Sequence, residues 1–184
     1  MKTFTTFLTE QKNLHLEHLE DELFNRGDAG VKEAINFITA LTDMLQGESK
    51  KAVDVTVKWD GAPAVFAGIN PENGKFFVAT KSLFNKTPKI NYTDEDIEAN
   101  HSGGLVDKLK IALSQLSKLN IQGVLQGDML FTNDVSTTNI DGKSYRAFTP
   151  NTITYAVPSD SDLAKVIDKA KLGIVFHTTY TGNT

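Results

Sequence analysis

The stretch "VKWDGAPAVFAG" (residues 57–68) combines residue types that a covalent reaction at a phosphate would need. Lys58 stands where an apolar, alternating run ends, two residues before Asp60 and Gly61. A lysine that apolar strands shield from water favours its neutral amine, and a neutral amine is a nucleophile. Gly61 permits a sharp change of direction and a close approach of a ligand to the backbone. The spacing predicts a nucleophilic Lys58 beside a tight loop, with a plain hairpin turn and a solvated lysine as the alternative.

The elements around this loop follow from hydrophobic periodicity. Val53, Val55 and Val57 alternate with polar residues, which predicts a half-buried strand leading into Lys58. Other strands are predicted over residues 64–69, 75–80, 123–131, 141–148 (with a hairpin), 152–157 and 173–180. Helices are predicted in residues 1–48 (broken at Gly27 and Gly30), 105–119 and 161–171, with a loop or short acidic helix over 91–104.

This order of elements predicts an α+β fold with mostly antiparallel sheets. We expect a helical N-terminal segment over residues 1–48 and one core over residues 49–184. Composition agrees with a globular chain, because 40% of its 184 residues are apolar and 23% are charged. The absence of cysteine excludes disulfides and thiolate metal sites. No apolar run approaches the length of about 18 residues that a membrane-spanning helix needs, so we expect no membrane contact and a cytoplasmic location.

A net charge of −4 excludes a protein that binds polyanions over its whole surface, so any contact with nucleic acid must be local. Residues 74–93 are the strongest basic segment and contain no acid. Lysines and aromatic residues are interleaved there: Lys75, Phe76, Phe77, Lys81, Phe84, Lys86, Lys89 and Tyr92. The pattern is typical of a surface for single-stranded nucleic acid, with Lys75, Lys86 and Lys89 as its cations. A solvated basic face with the aromatic residues in the core is the alternative.

Several motifs of the chain resemble the covalent nucleotidyltransferase superfamily of ATP-dependent DNA ligases, RNA ligases and mRNA capping enzymes. "KWDG" (residues 58–61) matches the superfamily's Lys-x-Asp-Gly motif in full. "FVATKS" (residues 77–82) resembles the strand that follows it, with Lys81 where RNA ligases commonly carry Arg. The resemblance covers roughly residues 50–177.

Two later strands extend the resemblance in the same order. "LQGDMLF" (residues 125–131) resembles the strand with a Gly-acid pair, with Asp128 where Glu is usual. "TITYAVP" (residues 152–158) brings Tyr155 near the aromatic position of the superfamily. The opening "MKTFTTFLTE" also looks like an uncharacterised group of tailed-phage proteins with a ligase-like core.

The resemblance implies specific roles. Lys58 is the implied nucleophile, which forms a covalent lysyl-AMP from ATP. The implied cofactors are ATP and Mg²⁺, with Asp60 and Asp128 as candidates to hold the hydrated metal ion. The nucleotide-binding residues that the resemblance implies are Trp59, Asp60, Gly61, Lys81, Asp128 and Tyr155. Lys81 would pair with phosphate, and Tyr155, rather than Trp59, would stack on the base.

The chain also departs from the superfamily's pattern. Leu172 in "KLGIVFH" stands where a later motif has a metal-binding Glu, and Val57 precedes the lysine. We expect the core to stop at Thr184 before that motif and before a phosphate-gripping Lys-x-Lys. His177 in the same strand has the setting of a partly buried structural histidine rather than of a catalyst.

The sequence-based expectation is therefore an ATP-dependent RNA or DNA ligase-like nucleotidyltransferase. It would transfer AMP from Lys58 to a 5′-phosphate end of a nucleic acid, in the host cytoplasm if a phage encodes it. The alternative is a phage structural or nucleic-acid-binding protein that keeps the fold without catalysis.

Overall fold

The computed structural model describes residues 19–48 and 58–180, which fall into two units. The first unit contains residues 19–48 and Lys58, and the second contains residues 59–180. The predicted strand over residues 52–57 and the start of the N-terminal helical segment lie outside the described residues.

The described part of the first unit forms one helix, α1 (Asp21–Leu45), whose course changes at Gly27. Gly27 has φ 55° and ψ −133°, a conformation that glycine adopts without a steric penalty. Gly30 is buried inside α1, where a Cβ would lie 1.9 Å from the carbonyl oxygen of Glu22. The predicted break at Gly27 is confirmed. The predicted break at Gly30 is wrong, because Gly30 continues the helix and allows a close approach to Glu22 in the helical segment before Gly27.

The second unit contains every strand among the described residues. In chain order its elements are β1 (Ala64–Ile69), β2 (Phe76–Ala79), a 3₁₀ helix (Lys81–Phe84), α2 (Asp94–Asn100), α3 (Gly104–Leu116), β3 (Val124–Phe131), β4 (Ser136–Ile140), β5 (Lys143–Phe148), β6 (Tyr155–Pro158), α4 (Asp162–Ile167) and β7 (Gly173–Tyr180).

Two antiparallel sheets organise this unit. The larger sheet has the strand order β2-β1-β3-β7, and the smaller has the order β4-β5-β6. The α+β class with antiparallel sheets is therefore confirmed. A one-residue bulge interrupts the pairing of β3 with β7, since Gln126 pairs with Thr178 whereas Gly127 pairs with Phe176.

The main core lies between α2, α3 and one face of the larger sheet. Alternate residues of each strand reach this face, as the two-residue period of a strand requires. Its fully buried members include Val65, Ala67, Val78, Ile97, Leu109, Ala112 and Met129. A second core joins the end of β3 to the smaller sheet and α4, and includes Phe131, Phe148, Val157, Ala164 and Ile167.

Several predicted boundaries differ from the structure, and the helix predicted over residues 161–171 is α4, which ends at Ile167. β6 begins at Tyr155 rather than at residue 152, because residues 149–154 form a loop closed by a 2.8 Å hydrogen bond between the hydroxyls of Thr149 and Thr154. Helix α3 ends at Leu116 rather than at residue 119. The chain turns shortly afterwards at Asn120, whose φ of 48° is incompatible with a continuing helix.

Candidate functional site

The loop that contains Asp60 and Gly61 lies along the end of β3. The backbone N–H of Ala62 donates to the Met129 carbonyl at 3.0 Å, and the N–H of Met129 donates to the Pro63 carbonyl at 3.1 Å. These bonds continue the β1–β3 pairing, in which Ala64 is opposite Asp128. Residues 62 and 63 therefore pair with β3 and lead into the sheet.

Gly61 brings this loop into contact with Asp128. A Cβ at Gly61 would lie 2.6 Å from the Met129 carbonyl oxygen and 2.9 Å from the Asp128 Cβ. Both distances are shorter than a real side chain tolerates, so glycine is required for this approach. The backbone contact brings together the Asp-Gly and Gly-Asp motifs, which are far apart in the sequence.

Two hydrogen bonds from the end of the smaller sheet hold Asp60. The Asp60 backbone N–H donates to the Tyr155 hydroxyl at 2.7 Å. The Asn151 Nδ2 donates to the Asp60 Oδ2 at 3.1 Å. The backbone and carboxylate of Asp60 are thus each fixed by a residue more than ninety positions away.

Trp59 packs against the same part of the smaller sheet. Its ring centroid lies 4.8 Å from that of Tyr155 and 6.4 Å from that of Phe148. Tyr155 therefore contacts Trp59 with its ring and Asp60 with its hydroxyl. Stacking of Tyr155 on a base stays a prediction, whereas its contacts to the loop are present in the structure.

The strand register brings Lys81 to the same end of the larger sheet. Phe66 on β1 pairs with Ala79 on β2, and Ala64 pairs with Asp128 on β3. Because β1 and β2 are antiparallel, residues that follow Ala79 run towards the end of β1 at which Ala64 lies. Lys81 is exposed and begins the 3₁₀ helix there, so its positive charge lies at the sheet end that carries Asp128.

His177 adds a group that the sequence analysis did not assign to the site. It is the extra residue of the β7 bulge, and its Nε2 lies 3.7 Å from the Asp128 Oδ2. The exposed fractions of the two side chains are 23% and 27%. Asp128 pairs with Val175, and His177 lies two positions further along β7, so the imidazole reaches the carboxylate as a diagonal neighbour on the adjacent strand.

Lys58 is exposed. The strand that was expected to shield its amine, residues 52–57, lies outside the described residues. Lys58 directly precedes Trp59 in the chain, and its predicted nucleophilic role stays a prediction.

In the basic segment over residues 74–93, the lysines are exposed and most of the aromatic rings are buried or half-buried. Phe77 is fully buried and Phe76 packs against the main core, whereas the Phe84 ring is 39% exposed. Lys75, Lys81, Lys86 and Lys89 are exposed. The Lys89 ammonium donates to the Asn100 carbonyl at 2.8 Å, so one predicted nucleic-acid contact also ties this segment to the end of α2.

Magnesium is compatible with the donors at this site, since Mg²⁺ keeps several waters and binds through one or two carboxylates. Asp60 and Asp128 are both half-buried and are linked through the Gly61 contact. Across residues 19–48 and 58–180 there is no cluster of three or more His, Asp and Glu side chains that could hold a metal ion by itself.

No helix in residues 19–48 and 58–180 is long and apolar enough to cross a membrane.

Sequence reasoning missed Asn151 and His177. Asn151 directly precedes the strand predicted over residues 152–157, and no spacing rule connects it to Asp60. The pairing of Asp128 with Val175, which brings His177 near Asp128, is a property of the β3–β7 register that local patterns do not reveal. The one available signal was the polar His177 in an otherwise apolar strand opposite the Gly-Asp strand.

Comparisons with known proteins give a family for the chain. No curated protein matches the sequence. No solved structure matches it either. The model of DUF6267, described as a family of unknown function, matches residues 13–184. Because this match spans nearly the whole sequence, the chain belongs to the DUF6267 family.

Proposed function

We propose that this chain is an ATP-dependent nucleotidyltransferase of the RNA or DNA ligase type, with Lys58 as the nucleophile. The observation that carries the proposal is the convergence of separate motifs at one end of the larger sheet. Gly61 lies against Asp128, and the register brings Lys81 to the same end. Tyr155, the remaining motif residue, holds the backbone of Asp60. Residues that act on one nucleotide must lie close together in the fold, and these motif residues do so.

The first reaction step follows from the residue types. The Lys58 amine loses a proton to solvent, and its nitrogen lone pair attacks the α-phosphorus of ATP. A P–N bond forms while the bond from the α-phosphorus to the bridging oxygen breaks, and its electron pair leaves with pyrophosphate. Lys81 supplies positive charge for the phosphates, and Asp60 and Asp128 order the ribose or hold hydrated Mg²⁺. When bound, Mg²⁺ would offset charge on the phosphates.

The second step transfers AMP to a nucleic-acid end. A 5′-phosphate oxygen attacks the same phosphorus, the P–N bond breaks, and Lys58 regains its amine. Attack by a 3′-hydroxyl then joins the strands and releases AMP. The exposed lysines of residues 74–93 support a polyanionic substrate, because their charge lies on a surface that solvent reaches.

The proposal is tested by incubating the protein with α-³²P-labelled ATP or GTP and Mg²⁺, followed by a denaturing gel and intact-mass measurement. We expect a covalent adduct of one AMP that Lys58→Ala abolishes. Lys118→Ala is the matched control, since Lys118 is an exposed lysine outside the motifs and should leave the adduct unchanged. No adduct with either nucleotide would overturn the proposal. Retained binding of nucleic acid in that case would favour the alternative, a structural or nucleic-acid-binding protein.

A further inference from the structure

The loop between β5 and β6 makes a contact to the site that none of the recognised motifs contains. The loop is closed by the Thr149–Thr154 hydroxyl bond of 2.8 Å and is anchored by the buried Pro150. From this closed loop the Asn151 Nδ2 reaches the Asp60 Oδ2 at 3.1 Å.

The chemistry of this contact restricts the Asp60 carboxylate. Asp60 lies in a segment without helix or strand, so its side chain has little regular structure to fix its rotamer. An amide N–H that donates to an ionised oxygen forms a charge-assisted hydrogen bond, which is stronger and more directional than a neutral one. The bond to Asn151 therefore holds the Oδ2 atom of Asp60. Because the carboxylate is rigid, holding this atom also defines the position of its other oxygen.

The position of Asn151 separates this role from core packing. Asn151 is exposed, whereas the rings of this region pack through Trp59, Phe148 and Tyr155. The Asp60 backbone is held independently by the Tyr155 hydroxyl. Loss of the Asn151 amide would thus release the carboxylate without removing the loop from its place.

We propose that Asn151 is a positioning residue that orients the Asp60 carboxylate for nucleotide transfer. The inference rests on the proposed function, in which Asp60 orders the ribose or the hydrated metal ion. Asn151 acts through Asp60, and the loop from the smaller sheet is part of the reaction site rather than only a connection.

The test is a double-mutant cycle on the single-turnover rate of adduct formation at saturating ATP. Asn151→Ala should slow adduct formation about tenfold, since small misplacements of a reacting group are costly. The double variant Asn151→Ala with Asp60→Asn should be no slower than Asp60→Asn alone, because residues that act through one contact are not additive. Asn139→Ala, an exposed asparagine on β4, is the matched control and should change nothing.

A second variant keeps the test decisive if Asp60→Asn is too slow to measure. Asn151→Asp keeps the shape of the side chain but removes the donor and adds a like charge beside Asp60, so it should be slower than Asn151→Ala. Additive effects in the cycle would overturn the inference. Rates of adduct formation by the Asn151 variants within about twofold of the unsubstituted chain would also overturn it. A loss of rate that is fully explained by a lower urea midpoint would do the same. No adduct from the unsubstituted chain would overturn the proposed function and this inference with it.

Discussion

Asp128 on β3 and His177 in the bulge of β7 lie with Oδ2 and Nε2 3.7 Å apart, at the sheet end that carries the Asp60–Gly61 loop. At the bulge, His177 is the extra residue of β7, so the regular pairing of the two strands is interrupted. Asp128 pairs with Val175, two residues before His177 in β7, so strand alternation also puts the imidazole and the carboxylate on one face of the sheet.

We predict that His177→Ala changes adduct formation more than stability. A partly exposed pair at this distance contributes at most about 1 kcal/mol to the free energy of unfolding. If the imidazole helps to orient Asp128 in the site, the rate of adduct formation should fall by a larger factor than a loss of about 1 kcal/mol in stability would cause. Urea unfolding and the adduct assay on His177→Ala and His177→Gln measure the two effects. Equal losses in both measurements would assign the pair to stability alone.

Gly61→Ala should destabilise the protein by about 1–3 kcal/mol, the usual cost of forcing an extra group into a packed site. The new Cβ would meet the Met129 carbonyl at 2.6 Å, and a backbone atom cannot move aside as a flexible side chain can. Gly104→Ala is the matched control, since a Cβ there would meet no atom within 4 Å and the residue begins α3. Urea midpoints of the two variants check the prediction, and equal midpoints would contradict it.

Tyr155→Phe distinguishes two roles of Tyr155. The variant keeps the ring that contacts Trp59 and removes only the oxygen that accepts the Asp60 N–H. We expect a loss of about 1 kcal/mol in stability, because a half-buried donor loses its partner, and a slower adduct reaction. The emission of Trp59, the only tryptophan, should change little and verify that the rings remain packed. An unchanged rate would instead favour a role for the ring alone, as in stacking on a base.

A buried amide joins β2 to the end of α2. The Asn91 Nδ2 donates to the Val78 carbonyl at 2.9 Å, and the Asn91 Oδ1 accepts from the Asn100 Nδ2 at 2.9 Å. These partners fix which end of the amide is the donor. The Nδ2 also lies 3.3 Å from the His101 Nε2, which must therefore be the unprotonated acceptor.

This network predicts a loss of stability on mild acidification. Burial, and then the positive charge of Lys89, lower the pKa of His101 from its usual 6.5. The unfolded chain then binds a proton at His101 more readily than the folded one. The stability that neutral His101 contributes is complete above about pH 6.5 and is lost as the pH falls through the folded value. Urea unfolding from pH 7.5 to pH 5 should show a steeper loss for the unsubstituted chain than for His101→Gln. Parallel curves would contradict the prediction.

Replacing Lys86 and replacing Lys89 should have similar effects on nucleic-acid binding but different effects on the stability of the protein. If both contact phosphates, each alanine variant should weaken binding of single-stranded nucleic acid and lower the slope of log K against log salt by about 0.7. Lys89→Ala should also lower the urea midpoint, because the Lys89 ammonium bonds the Asn100 carbonyl. Fluorescence anisotropy with an oligonucleotide at several salt concentrations measures the slope, with Lys118→Ala as the control. Unchanged slopes would exclude both lysines from such an interface.

The elements that hydrophobic periodicity defines were predictable. Strand β1 occupies the predicted residues 64–69, and the Gly-Asp strand runs over Val124–Phe131 as expected. Both strands are apolar and bounded by turn residues, so local sequence decides their type. The acidic stretch that could be loop or helix is α2, in which the Thr93 hydroxyl and the Asp96 carboxylate form a capping box.

The contacts that assemble the site were not predictable from local patterns. The approach of Gly61 to Asp128 depends on the β1–β3 register, and the Asn151–Asp60 bond depends on how the smaller sheet meets the loop. Long-range packing therefore decides these features, and short motifs identify only the participants.

The bonds from Asn151 and Tyr155 to Asp60 also carry a consequence for biosynthesis. The partners are 91 and 95 residues apart, and the chain is made from its N-terminus. The Lys-x-Asp-Gly loop leaves the ribosome well before the groups that hold it, and closing so long a loop carries an entropic cost. A nascent chain therefore carries Asp60 without these partners until β6 has been translated and has docked. Under the proposed function, the Asp60 carboxylate would become oriented for the reaction only once the smaller sheet is complete.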